Sequence, residues 1–348
     1  GHSIGAFVPL AEKCGIDYFA VFSAAEALEA IKASRKKSHI MIMGYIDNPV
    51  IAWAMEHDVS FYIFETDRLD YAIQTARGMG KPARIHLELE TGMNRTGMAG
   101  PQLDRAADLI SRNREHLIIE GICTHFAGAE SVSNYLRIKK QINRYKQVCT
   151  ALEKRSIRAR YYHSACSAAA FTYPETIFDM VRFGIAQYGF WPSRETRMHF
   201  LLNLQDKKRK QNFNPLRRVM SWKSSIMSTK KVKQGEFISY GNSFMACKDT
   251  TIATVPVGYY DGYARSLSNL GHVLIRGRKA PVIGYVNMSL FLVDITKIPA
   301  AAKGDEVVLI GRQNRRHITV GSFADLSNYL NYEVLVRIPA EIPRIIVK

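Results

Sequence analysis

Arg182, Gly184 and Ile185 stand where a short apolar run, Met180-Val181, ends. A guanidinium followed by bare backbone amides can grip an anion or an electron-rich ring nitrogen. Taken alone, these residues also suit a surface cation at an ordinary turn. Other residues able to do chemistry follow apolar stretches of the same kind: Glu88 with Arg95, then His125, then His163 with Ser167. If those stretches are parallel strands of one barrel, the groups converge on its mouth, where barrels place their working residues. Two imidazoles, two guanidiniums and a hydroxyl suit anion binding and proton handling. They lack the His, Cys, Asp and Glu spacing of a metal site, so none is expected.

The elements needed to position them are legible as an alternation. Strand-like runs fall at 18–22, 39–45, 59–64, 84–90, 118–125, 158–162 and 181–185. Helical stretches fall between them at 24–33, 49–57, 69–79, 101–112, 133–154 and 164–172, after a first helix that Gly15 ends. This spacing predicts parallel βαβ units closing into a (β/α)-barrel of the TIM type. Seven strands are countable where such a barrel has about eight. The chain opens on a helix, so the first strand is expected before Gly1. From Val219 the texture becomes short Val-, Ile- and Thr-rich strands broken by turn signals such as Tyr240-Gly241 and Lys303-Gly304. That predicts a mostly β second domain whose only helix lies near 322–330. The expected division is a barrel over 1–200, a basic linker over 201–218 and a β domain over 219–348.

The chain has 348 residues and a net charge of +17. The basic residues are scattered, with one dense cluster at Lys207-Lys208-Arg209-Lys210 that reads as part of a solvated linker. No nucleic-acid module surrounds it, so attraction of an anionic cofactor is the milder use of the charge. Cys14, Cys123, Cys149, Cys166 and Cys247 are an odd set without close spacing, which suggests free thiols in a reducing compartment such as the cytoplasm. No apolar run approaches the roughly 18 residues of a membrane helix.

Seven stretches are distinctive when taken together. In the first domain they are LETGMNRTGMA (89–99), THFAGAE (124–130), HSACSAA (163–169) and FDMVRFGIAQYGFWPS (178–193). In the second they are ISYGNSF (238–244), VPVGYYDGYAR (255–265) and GYVNMSLFLVDIT (284–296). By these stretches, which run in family order and are specific as a set, the chain resembles the alanine racemase family over nearly its whole length.

The resemblance implies pyridoxal 5'-phosphate (PLP) as cofactor and interconversion of L- and D-alanine, supplying D-alanine for peptidoglycan. It implies that Arg182 faces the pyridine nitrogen. A guanidinium does not yield its proton, so the ring stays a weaker electron sink, which favours racemisation over side reactions. Related barrel decarboxylases carry a carboxylate there. It further implies that His163 supports Arg182 and His125 joins the site's hydrogen-bond network. Ser167, Gly184 and Ile185 would hold the phosphate, and Arg95 would contact the phenolic side of the ring and the substrate region. Tyr240 would be a catalytic base reaching into a partner subunit, which implies a homodimer. Tyr259 would stand at the substrate entrance and Met288 at an inner gate. Inversion needs a second base on the opposite face of Cα. In the family this is the cofactor-bearing lysine, in a motif whose close matches Gly1-His2, so it is expected just ahead of residue 1. A chain beginning at Gly1 is expected to be nearly inactive.

Some positions depart from the family pattern. Glu88 stands where several members carry a carbamylated lysine, Cys166 replaces an asparagine, Ser289 an aspartate and Ala340 a phosphate-binding tyrosine. The stretch 198–214 is longer than usual. The changes at Cys166, Ser289 and Ala340 leave one rival reading, a serine or broad-range racemase, and the cofactor-bearing lysine not found in this sequence leaves another, a non-catalytic PLP-binding relative.

Overall fold

The computed structural model describes residues 2–204, 213–327 and 330–347. The chain divides into two compact units, Ile4–Arg218 and Val219–Lys348, the latter grouped with Gly1–Ser3. In the first unit, strands alternate with helices as α1 (Ile4–Lys13), β1 (Tyr18–Val21), α2 (Ala24–Ala33), β2 (His39–Ile42), α3 (Asn48–Glu56) and β3 (Ser60–Ile63). There follow α4 (Thr66–Met79), β4 (Ala83–Glu88), α5 (Gly100–Arg112), β5 (Leu117–Cys123), α6 (Tyr135–Lys154), β6 (Tyr161–Cys166), α7 (Ser167–Thr172), β7 (Met180–Arg182) and α8 (Arg194–Asn203). The seven strands form one parallel sheet in chain order that nearly closes into a barrel.

Local signals explain the elements. Ser23 caps α2, with its Oγ accepting from the Glu26 amide at 3.3 Å while Glu26 accepts from the Ser23 amide. Gly80 ends α4 with a φ of 60°. Strand β3 is buried on both faces, as a parallel strand covered by helices must be. The core between strands and helices is built from residues such as Ile42, Ile51, Phe61, Leu69, Ile85, Leu87 and Ile122.

Two sequence expectations shift. The sixth strand does not stop at 162 but runs through His163 to Cys166. Parallel pairing fixes it there, with Cys123 beside His163 on one side and Arg182 beside Cys166 on the other. The seventh strand ends at Arg182 instead of reaching Ile185, because Gly184 turns the backbone (φ −105°, ψ −90°) into a 3-10 turn at Ile185–Tyr188. The Lys207–Lys210 cluster lies outside the described residues.

The second unit is an antiparallel sheet of eight strands. These are β8 (Trp222–Ser225), β9 (Ser228–Val232), β10 (Thr250–Val255), β11 (His272–Ile275), β12 (Arg278–Ile283), β13 (Phe291–Asp294), β14 (Glu306–Gln313) and β15 (Arg316–Ile318). They are followed by α9 (Val320–Ser327) and α10 (Asn331–Val336), two helices where the sequence suggested one near 322–330. The order is β15-β14-β11-β12-β13-β10-β9, with β8 also paired to β14. The barrel and mostly β architecture expected from the sequence is the one observed.

Candidate active site

The ends of β5, β6 and β7 cage Arg182. Its Nη1 donates to His163 Nδ1 at 2.6 Å and to the His163 carbonyl at 3.1 Å. Its Nη2 donates to the carbonyls of Thr124 at 2.7 Å and Ser164 at 3.2 Å. A planar guanidinium has five N–H groups in a fixed fork, so four bonds on one side set the plane of the whole group. Among the described residues no hydrogen bond engages Nε–H, which leaves one oriented donor.

His163 is fully buried. Burial, then the charge of Arg182, hold its pKa well below the ordinary value. His125, half-buried at the end of β5, is pushed down to about 4 by burial, Arg182 and Arg95 in that order. Both imidazoles are therefore neutral at pH 7 and can each accept one proton. The turn that carries His125 is held from α6 by buried Gln141, whose Nε2 donates to the His125 carbonyl at 3.1 Å. Its Oε1 accepts from the Ala127 amide at 2.9 Å. Glu88 is buried at the end of β4, and burial raises its carboxyl pKa against a bond from Thr96 and the charges of Arg95 and Arg182. Arg95 is exposed in the loop that follows.

A second feature sits where β6 meets α7. Ser167 Oγ accepts from the Gly184 amide at 3.0 Å and from the Ala186 amide at 3.4 Å. Both of its lone pairs are occupied, so its own O–H is left to donate. The Gly184 amide, expected open, is thus engaged by Ser167. The Ile185 amide has no hydrogen bond among the described residues. What Gly184 contributes is room: a Cβ there would meet nothing within 4 Å.

In the second unit Tyr240 projects from a tight turn and is 74% exposed. Ser239, Gly241 and Asn242 around it have φ of 68°, 67° and 48°. Three left-handed residues in so short a stretch fix where the phenol is presented. The ring of Tyr285 lies under the turn and carries the Arg265 guanidinium at 5.0 Å. Tyr259 and Met288 are also exposed, and their segments are joined by the Tyr259 amide to Asn287 carbonyl bond at 3.0 Å and the Tyr260 amide to Met288 carbonyl bond at 2.9 Å.

Sequence reasoning missed His86 and Gln141. His86 is fully buried on β4, with Nδ1 3.0 Å from His163 Nε2. Its Nε2 lies 3.1 Å from Tyr18 Oη and 3.2 Å from Ser60 Oγ. Burial, with Arg182 and Arg84, pushes its pKa down to about 3. The only sequence signal was a histidine on the alternating face of RIHLELE. Among the described residues no group of three His, Cys, Asp or Glu could hold a metal ion.

Oriented donors at the strand ends of a parallel barrel suit a (β/α)-barrel protein that binds an anionic organic group. Known proteins narrow that class. Residues 1–192 match the family model for the alanine racemase N-terminal domain, and residues 219–346 match that for the C-terminal domain. The alanine racemase of Leptospira interrogans is 36% identical over 350 residues, covering 100% of this chain and 86% of that protein. Alanine racemase 1 of Clostridium acetobutylicum is 32% identical, with 100% and 86% covered. The crystal structure of the Bacillus anthracis alanine racemase with bound L-Ala-P superposes with a TM-score of 0.88 at 30% identity, covering 100% of this chain and 86% of that one. The chain belongs to the alanine racemase family. It is an isomerase, and its cofactor is PLP.

The residues at the mouth fit that group. Arg182 Nε–H suits an unprotonated ring nitrogen, and the Ser167 hydroxyl and Ile185 amide suit a phosphate, with Gly184 leaving space beside them. No helix among the described residues is long and apolar enough to cross a membrane.

Proposed function

We propose that the chain interconverts L- and D-alanine at the barrel mouth by proton exchange on two faces of Cα, and that the D-alanine made serves peptidoglycan synthesis. When bound, PLP supplies the electron sink that acidifies the substrate's α-proton. Arg182 would hold the pyridine nitrogen through its Nε–H, and because a guanidinium does not yield its proton that nitrogen would stay unprotonated. His163, neutral and accepting at Nδ1, keeps the guanidinium in plane. Ser167 and Ile185 donate to the phosphate, and Gly184 keeps their pocket clear. His125 remains a neutral hydrogen-bonding group beside Arg182, and Arg95 faces the phenolic side of the ring and the substrate.

Tyr240 carries the proton on one face, at its Oη. We assign it to the barrel of a second copy, so the working form is a homodimer. Tyr259 and Met288, also exposed in the sheet unit, narrow the substrate's approach. The observation that carries this reading is the Arg182 cage. A guanidinium with four bonds behind it and one donor in front is arranged for an acceptor that must stay unprotonated.

The test is Tyr240→Phe in holoenzyme. Loss of a proton-transferring group should lower kcat for L- to D-alanine by about 10²–10⁴-fold with little change in cofactor binding. Undiminished turnover in both directions would remove Tyr240 from the chemistry. Turnover of serine equal to that of alanine would favour the broad-range reading, for which the changes at Cys166, Ser289 and Ala340 give a motive.

A further inference from the structure

We propose that His86 is a positioning residue that accepts the Nε2 proton of His163 and so holds that ring, and through it the aim of Arg182, from the interior of the barrel. The argument starts from donor bookkeeping. Arg182 Nη1 can only donate, so His163 Nδ1, 2.6 Å away, must accept. A neutral imidazole has one proton, which then sits on Nε2 and points into the barrel. His86 Nδ1 lies 3.0 Å away along that line and must accept it. The proton of His86 is thereby placed on Nε2, where Tyr18 Oη at 3.1 Å and Ser60 Oγ at 3.2 Å can accept. Ser60 Oγ in turn donates to the Ile40 carbonyl at 3.3 Å.

The chain Arg182→His163→His86→Tyr18/Ser60 therefore has one direction throughout, and it crosses strands β7, β6, β4, β3 and β1. Reversing any link would set two donors face to face in a buried site. The packing protects it. Gly121 on β5 lies against the pair, and a Cβ there would fall 2.1 Å from His86 Nδ1 and 2.7 Å from His163 Nε2. The Tyr62 ring lies beside both imidazoles, with centroids 5.9 Å and 6.3 Å away. Space and sidewalls are thus committed to this contact.

The consequence for catalysis rests on the reading of Arg182 given above, whereas the tautomer order does not. In protein with ¹⁵N-labelled histidine, with and without PLP, the imidazole shifts of His86 and His163 report which nitrogen is protonated. At pH 7 both should be protonated at Nε2 and bare at Nδ1. His86→Leu removes the acceptor and leaves the His163 Nε2–H without a partner, so its proton signal should move upfield and exchange faster with water while Nδ1 stays bare. In holoenzyme, loss of this bond should lower kcat for alanine by about tenfold with KM changed less than about twofold. His86→Asn places Oδ1 near the former Nδ1 and should restore the hydrogen-bonded His163 Nε2–H signal and most of kcat. A proton on His86 Nδ1 in the unsubstituted protein would overturn the proposal. So would a His163 Nε2–H signal with unchanged shift and exchange rate in His86→Leu. If that variant does not fold, the unsubstituted protein and His86→Asn still decide the direction. The expected tautomers with kcat unaltered in His86→Leu would support the relay and sink the role given to Arg182.

Discussion

Buried imidazoles that stay neutral tie the stability of this barrel to pH. His86, down to about 3, and His163, well below its ordinary value, bind no proton in the folded state near pH 5, whereas in the unfolded chain they do so below about 6.5. The unfolded state therefore holds more protons through this window, and stability rises with pH. As pH falls below about 6.5, each fully buried histidine should cost about 1.4 kcal/mol per pH unit. Glu88 acts in the opposite sense: its raised pKa makes burial of the carboxyl easier at low pH. Urea midpoints should accordingly drop between pH 7 and pH 5, and His86→Asn should flatten the slope. A midpoint independent of pH over that range would mean that these rings are charged or solvated in the folded state.

At the scale of strands and turns, two glycines make opposite predictions. Gly121→Ala would drive a methyl into the His86–His163 bond, and denaturation should show a loss of about 1–3 kcal/mol. Gly184→Ala, whose Cβ would meet nothing within 4 Å, should change stability by less than about 0.5 kcal/mol while weakening PLP binding. The converse pattern, a harmless Ala at 121 and a disruptive one at 184, would contradict both assignments. The sequence made the βα alternation readable because buried parallel strands are apolar runs, and Arg182 stood out as a cation ending one. It could not set the limits of β6, because HSAC carries no apolar period and only pairing with β5 and β7 determines where it stops. Nor could it show that Ser167 takes the Gly184 amide, a bond between residues on separate elements. His86 was hidden for a related reason: along β4 it occupies an inward position like any core residue, and its partners lie on three other strands. Glu12 is another such case. This buried carboxylate of α1 accepts from Ser34 Oγ at 2.6 Å, the Arg35 amide at 2.9 Å and Ser38 Oγ at 2.7 Å, and those bonds help to hold its pKa at about 2.

For the whole molecule, the proposed exchange of Tyr240 between subunits makes a quantitative expectation. Arg182→Ala spoils the barrel half of a site and Tyr240→Phe the sheet half, so either protein alone should be inactive. In a dimer formed from both, one site receives two lesions and the other none. Random association should then recover about a quarter of native activity. Activity no greater than the sum of the separate proteins would place Tyr240 over its own barrel. The two family matches, 1–192 and 219–346, fall on the two compact units, each with buried residues of its own. Within the barrel, one contact restricts how its sequence can diverge. His86, Gly121 and His163 lie on three consecutive strands, and each tolerates its neighbours only as they are. A larger residue at 121 becomes acceptable only after an imidazole has gone, and losing an imidazole first strands a buried N–H. Such a trio changes together or stays, so shuffling with distant relatives succeeds only if the segment from β4 through β6 is inherited as one piece.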